Sequence, residues 1–435
     1  MGLDEGIITR RGALGLAGAL LLVTAACASE PAPSPNPHPH PHPPEGPVDP
    51  DGASMQTAAT DGSASAYQNG ATGFALSMLA AAVGSASGNA VISPLSISQC
   101  IALVGQGASG ATLQQIATAF GCVDAEELRS GANAELTAIA ALSQATFDMA
   151  NSAFTDDSFE VKAAYATSVA DWFGVAPHTT DFADPAHATE QINAWVAQRT
   201  ADKIPELLDP GQVTTDTRTV LVNALYLNAL WASPFNADKS SEMSFTLGGG
   251  QTIETRFMHD HRHVPVVQSD GALLFELPYQ DDDLAALFYL PAEGTALAAA
   301  VAGLQPSAFL ALVDQLQKTE ATLHIPVFET RRRLEVSDAL KSLGIHDAFD
   351  AQKADFTALA DEPTYISFVQ HEAWLKVGEK GTEGAAATAA GMEITGAPSD
   401  EPLEIALDRP FLFAVRVRST GSVAFIAAVQ DPSQQ

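Results

Sequence analysis

Five places in the chain carry side chains of a type and spacing that could do chemistry. Gly105-Gln106-Gly107-Ala108-Ser109-Gly110 has the G-x-G-x-x-G spacing that lets a backbone approach a dinucleotide phosphate, with an acid at Asp124. That use needs a strand before the glycines. Here Ser93-Pro94, a capping Ser followed by Pro at the first helical position, starts a helix instead, so the glycines read as a helix-to-helix turn. His259, Asp260, His261 and His263 put three imidazoles on one face of a strand, the donors that zinc prefers, but histidines on a solvated sheet edge make the same pattern. Asp281, Asp282 and Asp283 follow Tyr279 as a hairpin turn, with too few oxygen ligands for calcium. His38, His40 and His42 alternate with prolines, and at three residues per turn they do not share a face. No G-x-S-x-G elbow occurs, and no base, nucleophile and orienter are set out together. The expectation is therefore a protein without metal, cofactor or catalytic residue, and not an enzyme.

The fifth place, residues 379–391, is informative through what it lacks. Apart from Glu383, the run from Thr382 to Gly391 is all Gly, Ala and Thr. Such a segment cannot bury enough apolar surface to fold alone, so it is expected as an exposed loop. Small side chains also let a backbone enter a narrow gap between strands. Read with a period of two, one row is Thr382, Gly384, Ala386, Thr388, Ala390 and Met392, without charge. The other is Glu383, Ala385, Ala387, Ala389, Gly391 and Glu393, and it holds both acids. The loop has the pattern of a half-buried strand in waiting.

The elements around it divide unevenly. Helices are expected from Ser93-Pro94 through Ile97 and Ile101 to Gly105, and over 111–120. Runs of Leu, Val, Phe and Tyr at 220–231, 274–290, 323–328, 366–377 and 411–429 read as strands. Trp195, in an Ile-Asn-Ala-Trp-Val stretch at helical spacing, is a core candidate. A helical first half and a stranded second half make an α+β fold with large antiparallel sheets.

The 435 residues, 46% of them hydrophobic, suffice for a sizeable core. With 21 basic against 52 acidic residues, the formal charge of −31 speaks against nucleic acid or an anionic membrane surface as partner. Residues 1–27 are excluded from the fold as an export signal: Arg10-Arg11, an apolar run over 12–23, then Ala25-Ala26-Cys27. Thr9-Arg10-Arg11-Gly12-Ala13-Leu14 resembles a twin-arginine signal, and the small residues before Cys27 resemble a bacterial lipoprotein cleavage site, with Cys27 the lipidated residue. Thr24, in place of the usual Leu, leaves plain cleavage and secretion open; the only membrane contact expected is the lipid anchor. Residues 28–61 are a Pro/His-rich linker of polyproline character, and the folded domain spans 62–435. Export permits a disulfide between Cys100 and Cys122, but two buried thiols explain the spacing as well.

The folded part resembles the serpin family over nearly all of residues 65–433. The segments that carry the resemblance include Asn89-Ala90-Val91-Ile92-Ser93-Pro94-Leu95-Ser96, Leu221-Val222-Asn223-Ala224-Leu225-Tyr226 and Glu276-Leu277-Pro278-Tyr279. Glu379-Lys380-Gly381-Thr382-Glu383 with its Ala-rich continuation, and Asp408-Arg409-Pro410-Phe411-Leu412-Phe413, are the strongest. The resemblance implies the serpin fold and a suicide inhibitor that works as a monomer. A serine protease cleaves an exposed reactive-centre loop, forms the acyl-enzyme, and is carried across as the loop inserts into the large sheet, leaving a covalent complex. It implies a hinge at Glu379, Gly381, Thr382, Gly384, Ala385, Ala386, Ala387 and Thr388, a shutter under the sheet at Ser93, Ser96, Asn223 and His371, and a breach at Trp231. The family's count of sixteen positions beyond Glu379 puts the scissile bond at Thr395–Gly396. The stretch before Arg409-Pro410-Phe411 is longer than usual, so a shift by one or more residues stays open. Without Lys or Arg between Lys380 and Arg409, the expected targets are elastase-, chymotrypsin- or subtilisin-like rather than trypsin-like. A serpin-fold binding protein that does not inhibit is the alternative.

Overall fold

The computed structural model describes residues 63–84, 88–383 and 402–434. The leader with Cys27, the 28–61 linker, and the loop positions Gly384, Ala385, Ala386, Ala387, Thr388, Thr395 and Gly396 lie outside the described residues.

The helix Pro94–Gly105 is the pivot of the molecule. Its sequence, PLSISQCIALVG, has no charged residue, and every residue in it is buried. A helix apolar all round belongs in a core. Ser93 caps it by accepting the Ser96 N–H at 3.1 Å. The next helix is Gly110–Ala119, so the glycine run does join two helices, as the sequence suggests. Helix Ser63–Gly84 packs beside them, with Tyr67, Phe74 and Phe120 in ring contact.

Two sheets sandwich a second apolar layer that includes Trp231, Phe275, Phe288, Phe411 and Phe413. The nine-stranded sheet runs Ala90–Ile92, Val423–Val429, Phe411–Val417, Leu284–Leu290, Ala272–Pro278, Thr252–Ser269, Gln317–Pro326 and Leu403–Ala406, with Ser241–Thr246 beside Thr252–Ser269. The six-stranded sheet runs Phe328–Glu335, Ile366–Gly378, Gly381–Thr382, Thr219–Leu230, Thr146–Asp156 and His178–Thr180.

The expectation of antiparallel sheets needs correction at three joints. Ile366–Gly378 lies parallel to Thr219–Leu230, His178–Thr180 to Thr146–Asp156, and Leu403–Ala406 to Gln317–Pro326. Each pair is joined through a long crossover rather than a hairpin, which frees the strands to run the same way. A second correction concerns the helical half, which contains the strand Thr146–Asp156. Its residues Ala150–Thr155 are buried without alternation, so the period-two signal of a strand is missing. Trp195 stands edge-on to Phe154 at 5.5 Å, half-buried against the core.

Candidate functional site

The site is built where two parallel strands of the six-stranded sheet part. Strands Thr219–Leu230 and Ile366–Gly378 pair directly from Thr219↔Ile366 to Leu225↔Ala373. Above that point Gly381 and Thr382 stand between them, antiparallel to both: Thr382 opposes Ala229 on one side and Val377 on the other. The chain turns back from Gly378 and enters its own sheet for two residues.

Residue types dictate this entry. A Cβ on Gly381 would lie 2.1 Å from the Ala229 carbonyl oxygen, so only glycine passes. Thr382 is 1% exposed and faces the interior with Ala229 and Val377. Its hydroxyl bonds the Tyr279 phenol at 2.5 Å. Tyr279 is fully buried and stacks on Trp231 with centroids 4.5 Å apart, and burial pushes its phenol well up. Trp231 holds the turn from both ends: its ring N–H donates to Gly378 O at 2.9 Å and its backbone N–H to Lys380 O at 2.9 Å. Phe235 donates to Glu379 O at 2.8 Å, and Arg256 meets the Glu379 carboxylate at 2.9 Å. Burial works to raise that carboxyl, but its own amide, Arg256 and Ser240 hold it below the usual range.

At Glu383 the chain leaves the sheet through a left-handed residue, φ 46. The sequence assigns this acid to the wet row; the structure pairs it instead. Its side chain is only 18% exposed and bonds Lys203 Nζ at 2.6 Å. Lys203 also lies over the rings of Tyr226 and Trp374, 5.4 and 5.2 Å from their centroids. The left-handed residues Ala201 and Asp202, φ 48 and 59, turn the chain just before it. Lys203 is a functional candidate missed by sequence reading. The only local signal is an Ala-Asp-Lys turn after a helix end, and nothing there points to Glu383.

Halfway down the sheet, Asn223 and His371 are direct neighbours on the two parallel strands. His371 Nε2 accepts the Ser93 N–H at 3.0 Å, so its proton sits on Nδ1 and is donated to the Asn223 side-chain oxygen. Burial depresses the imidazole to about 3, with the Asn223 bond a smaller, opposing influence. Ser96 Oγ donates to Asn151 Oδ1 at 2.6 Å, and Asn151 stands opposite Asn223 on the next strand. The sequence missed Asn151; its signal is a polar amide inside a small, apolar run. Ser93, Ser96, Asn223 and His371 thus meet as one buried polar knot on the helix start, tying the two parallel strands together.

The other candidates lie elsewhere. His259, His261 and His263 share a face of Thr252–Ser269 in the nine-stranded sheet. Asp281 accepts the Ser143 and Gln144 amides at 3.0 and 2.7 Å, and Asp283 holds Ser419, so these acids serve loop structure. Cys100 and Cys122 are both free and buried, and burial pushes both thiols up to about 12.

Comparison with known proteins agrees with this architecture. The family model described as Serpin (serine protease inhibitor) matches residues 69–432. Serpin-ZXA of Oryza sativa subsp. japonica is 33% identical over 82% of this chain and 94% of its own length. The leukocyte elastase inhibitor of Xenopus tropicalis is 30% identical over 80% of the chain and 94% of its own length. Among solved structures, Serpin48 of Tenebrio molitor superposes with a TM-score of 0.77 at 26% identity, covering 84% of this chain and 98% of that one. Thyroxine-binding globulin superposes with a TM-score of 0.75 at 25% identity, covering 84% and 99%. A bacterial origin of the chain is not borne out by these relatives. The fold, Gly381 and Thr382 seated between two parallel strands, and the family match agree: this chain belongs to the serpin family.

Proposed function

We propose that the chain is a suicide-substrate inhibitor of serine proteases of elastase-, chymotrypsin- or subtilisin-like preference. The observation that carries this reading is the seating of Gly381 and Thr382 between Thr219–Leu230 and Ile366–Gly378. A strand that continues downward replaces one parallel ladder by two antiparallel ones, which pair more favourably per residue. The row that follows Thr382 inward is uncharged, so nothing on it opposes burial. Cleavage at Thr395–Gly396 frees the loop. The protease, held as the acyl-enzyme on Thr395, then travels about 50 Å if ~15 residues insert at ~3.3 Å each. The protease supplies the nucleophile, and the inhibitor supplies the strand and the lane. The fold is shared with thyroxine-binding globulin, so the fold alone does not select inhibition over binding; the small, uncharged residues of the hinge sequence argue for inhibition.

Export by the twin-arginine-like leader, with Cys27 as lipid anchor or plain secretion, would place the inhibitor outside the cytoplasm, acting as a monomer. Incubation with elastase, chymotrypsin and subtilisin, followed by denaturing gels, tests the reading. A protease-linked band is expected, with a released fragment beginning at Gly396. Clean cleavage without such a band across the whole panel would leave a substrate, not an inhibitor.

A further inference from the structure

His259 on strand Thr252–Ser269 stands directly opposite His324 on Gln317–Pro326. Their rings meet edge to face at 66°, with Nδ1 atoms 2.7 Å apart. Each far nitrogen is also held: His259 Nε2 lies 2.9 Å from Ser241 Oγ, and His324 Nε2 lies 3.1 Å from Glu404 Oε2. One neutral arrangement satisfies all four groups. A carboxylate only accepts, so His324 carries its proton on Nε2 and presents a lone pair at Nδ1. His259 donates its Nδ1 proton into that lone pair, and its Nε2 accepts the Ser241 hydroxyl. Residues from four strands thus place two ring nitrogens face to face with a single proton between them.

We propose that His259 Nδ1 and His324 Nδ1 together bind a divalent transition-metal ion of the nitrogen-preferring kind (zinc, nickel or copper), with water completing its shell. Imidazole suits these ions. Zinc–nitrogen bonds of about 2.0–2.1 Å at tetrahedral angles set the two nitrogens about 3.3 Å apart. The nitrogens need therefore separate by about 0.6 Å and each ring turn to aim its lone pair at the ion; both side chains are half-buried at the sheet surface. On binding, the proton leaves His259 Nδ1 for its Nε2, and the Ser241 hydroxyl turns round to accept it. Both rings stay neutral, and no proton is lost at neutral pH. Glu404 on His324 is the carboxylate partner that ligating histidines use to fix their tautomer, and Ser241 does the same for His259.

The surroundings favour a cation. On the same face His261 Nε2 meets Glu320 at 3.0 Å, His263 lies opposite Glu320, and Glu404 is 66% exposed. Asp260 and Arg262 pair with each other nearby on the His259 strand. Among the described residues no three His, Cys, Asp or Glu side chains converge on one point, so this is a two-imidazole site with positions left open to water. Because Glu404 belongs to Leu403–Ala406, the strand by which the chain returns from the loop, the ion and that strand are linked.

Equilibrium dialysis of the full chain against zinc chloride, and separately nickel chloride, tests the proposal. His259→Asn and His324→Asn are each expected to bind one ion fewer than the parent, and His261→Asn the same number. His38, His40 and His42 are present in every protein and drop out of the difference. Glu404→Gln keeps both ligands and should keep the stoichiometry with about 10-fold or more weaker binding. Circular dichroism and the melting temperature identify a misfolded variant, and a zinc-induced rise in melting present in the parent and His261→Asn but absent in His324→Asn gives a second readout. Equal ion counts for the parent, His259→Asn and His324→Asn would overturn the site.

Discussion

Replacing Thr382 with Arg asks the sheet to accept a charge at the first inserted position. Thr382 is 1% exposed, wedged between Ala229 and Val377, and its hydroxyl has the fully buried Tyr279 as partner. That partner is a neutral phenol, so an arginine there would be an unpaired ion in a dry layer, at a cost of several kcal/mol even after relaxation. Part of that cost is avoided by leaving the sheet, which opens the wedge and raises the barrier to insertion. If only about 3 kcal/mol falls on the barrier, insertion slows roughly 150-fold. Deacylation of the protease then wins, and the variant becomes a substrate. Titrating a fixed amount of protease with inhibitor measures this directly, because the ratio needed for full inhibition rises as more loops are cut without trapping. Glu383→Gln is the control: it removes the Lys203 pairing at 2.6 Å but leaves the inward row untouched, so trapping should persist. If Thr382→Arg traps its protease at the parent ratio, the assignment of the Thr382 row to the interior is wrong.

Three further outcomes follow from the same geometry. Gly381→Ala sets a Cβ against the Ala229 carbonyl and should destabilise the native protein by about 1–3 kcal/mol, read in denaturant unfolding; an unchanged midpoint would mean that the hinge is not seated as described. His371 is depressed from 6.5 to about 3, so the unfolded chain binds the extra proton between those values. Its contribution is complete above pH 6.5 and is lost as pH falls, by about 2 kcal/mol at pH 5. Glu135, raised by burial from 4.5 to about 7, works in the opposite direction over an overlapping range, its stabilisation growing as pH falls from 7 to 4.5. The quantity to measure is therefore the difference in pH slope between the parent and His371→Gln, and parallel slopes would refute the His371 assignment. Cleavage of the loop by a non-target protease should raise the melting temperature, and an unchanged or lower value would deny insertion.

Much of the site could be read in the sequence because it is local. The two rows of the loop are set by the alternation of neighbours, and the capped start at Ser93-Pro94 by two adjacent residues. What was hidden depends on register between distant strands. Nothing local to Asn151 says that it faces Asn223, or local to His259 that it faces His324 rather than solvent. The parallel joint of Ile366–Gly378 with Thr219–Leu230 was hidden for the same reason, since a strand buried on both faces reads alike in either direction. Alternation gives the face of Glu383 but not its partner, and Lys203 arrives from a turn about 180 residues earlier.

If the loop inserts as proposed, the register at the wedge sets which of its residues would meet the polar knot in the middle of the sheet. Six residues separate Ala229 from Asn223 on one side of the lane, and six separate Val377 from His371 on the other. An inserting strand that keeps the pairing of Thr382 therefore brings the same residue, Thr388, opposite both. Six is even, so Thr388 arrives on the inward face with its hydroxyl toward the knot. Insertion must break the bond between His371 and Asn223, which would leave two buried polar groups unpaired at about 1–3 kcal/mol each. A threonine hydroxyl both donates and accepts, so it can accept the His371 Nδ1 proton and donate to the Asn223 oxygen at once. Thr388→Val keeps the shape and removes that exchange. Its uncleaved form should melt with the parent, since the bond to be exchanged joins His371 to Asn223, while its cleaved form should gain less heat stability than the cleaved parent. An equal gain would mean that the loop enters in a different register, or that water takes the place assigned here to Thr388.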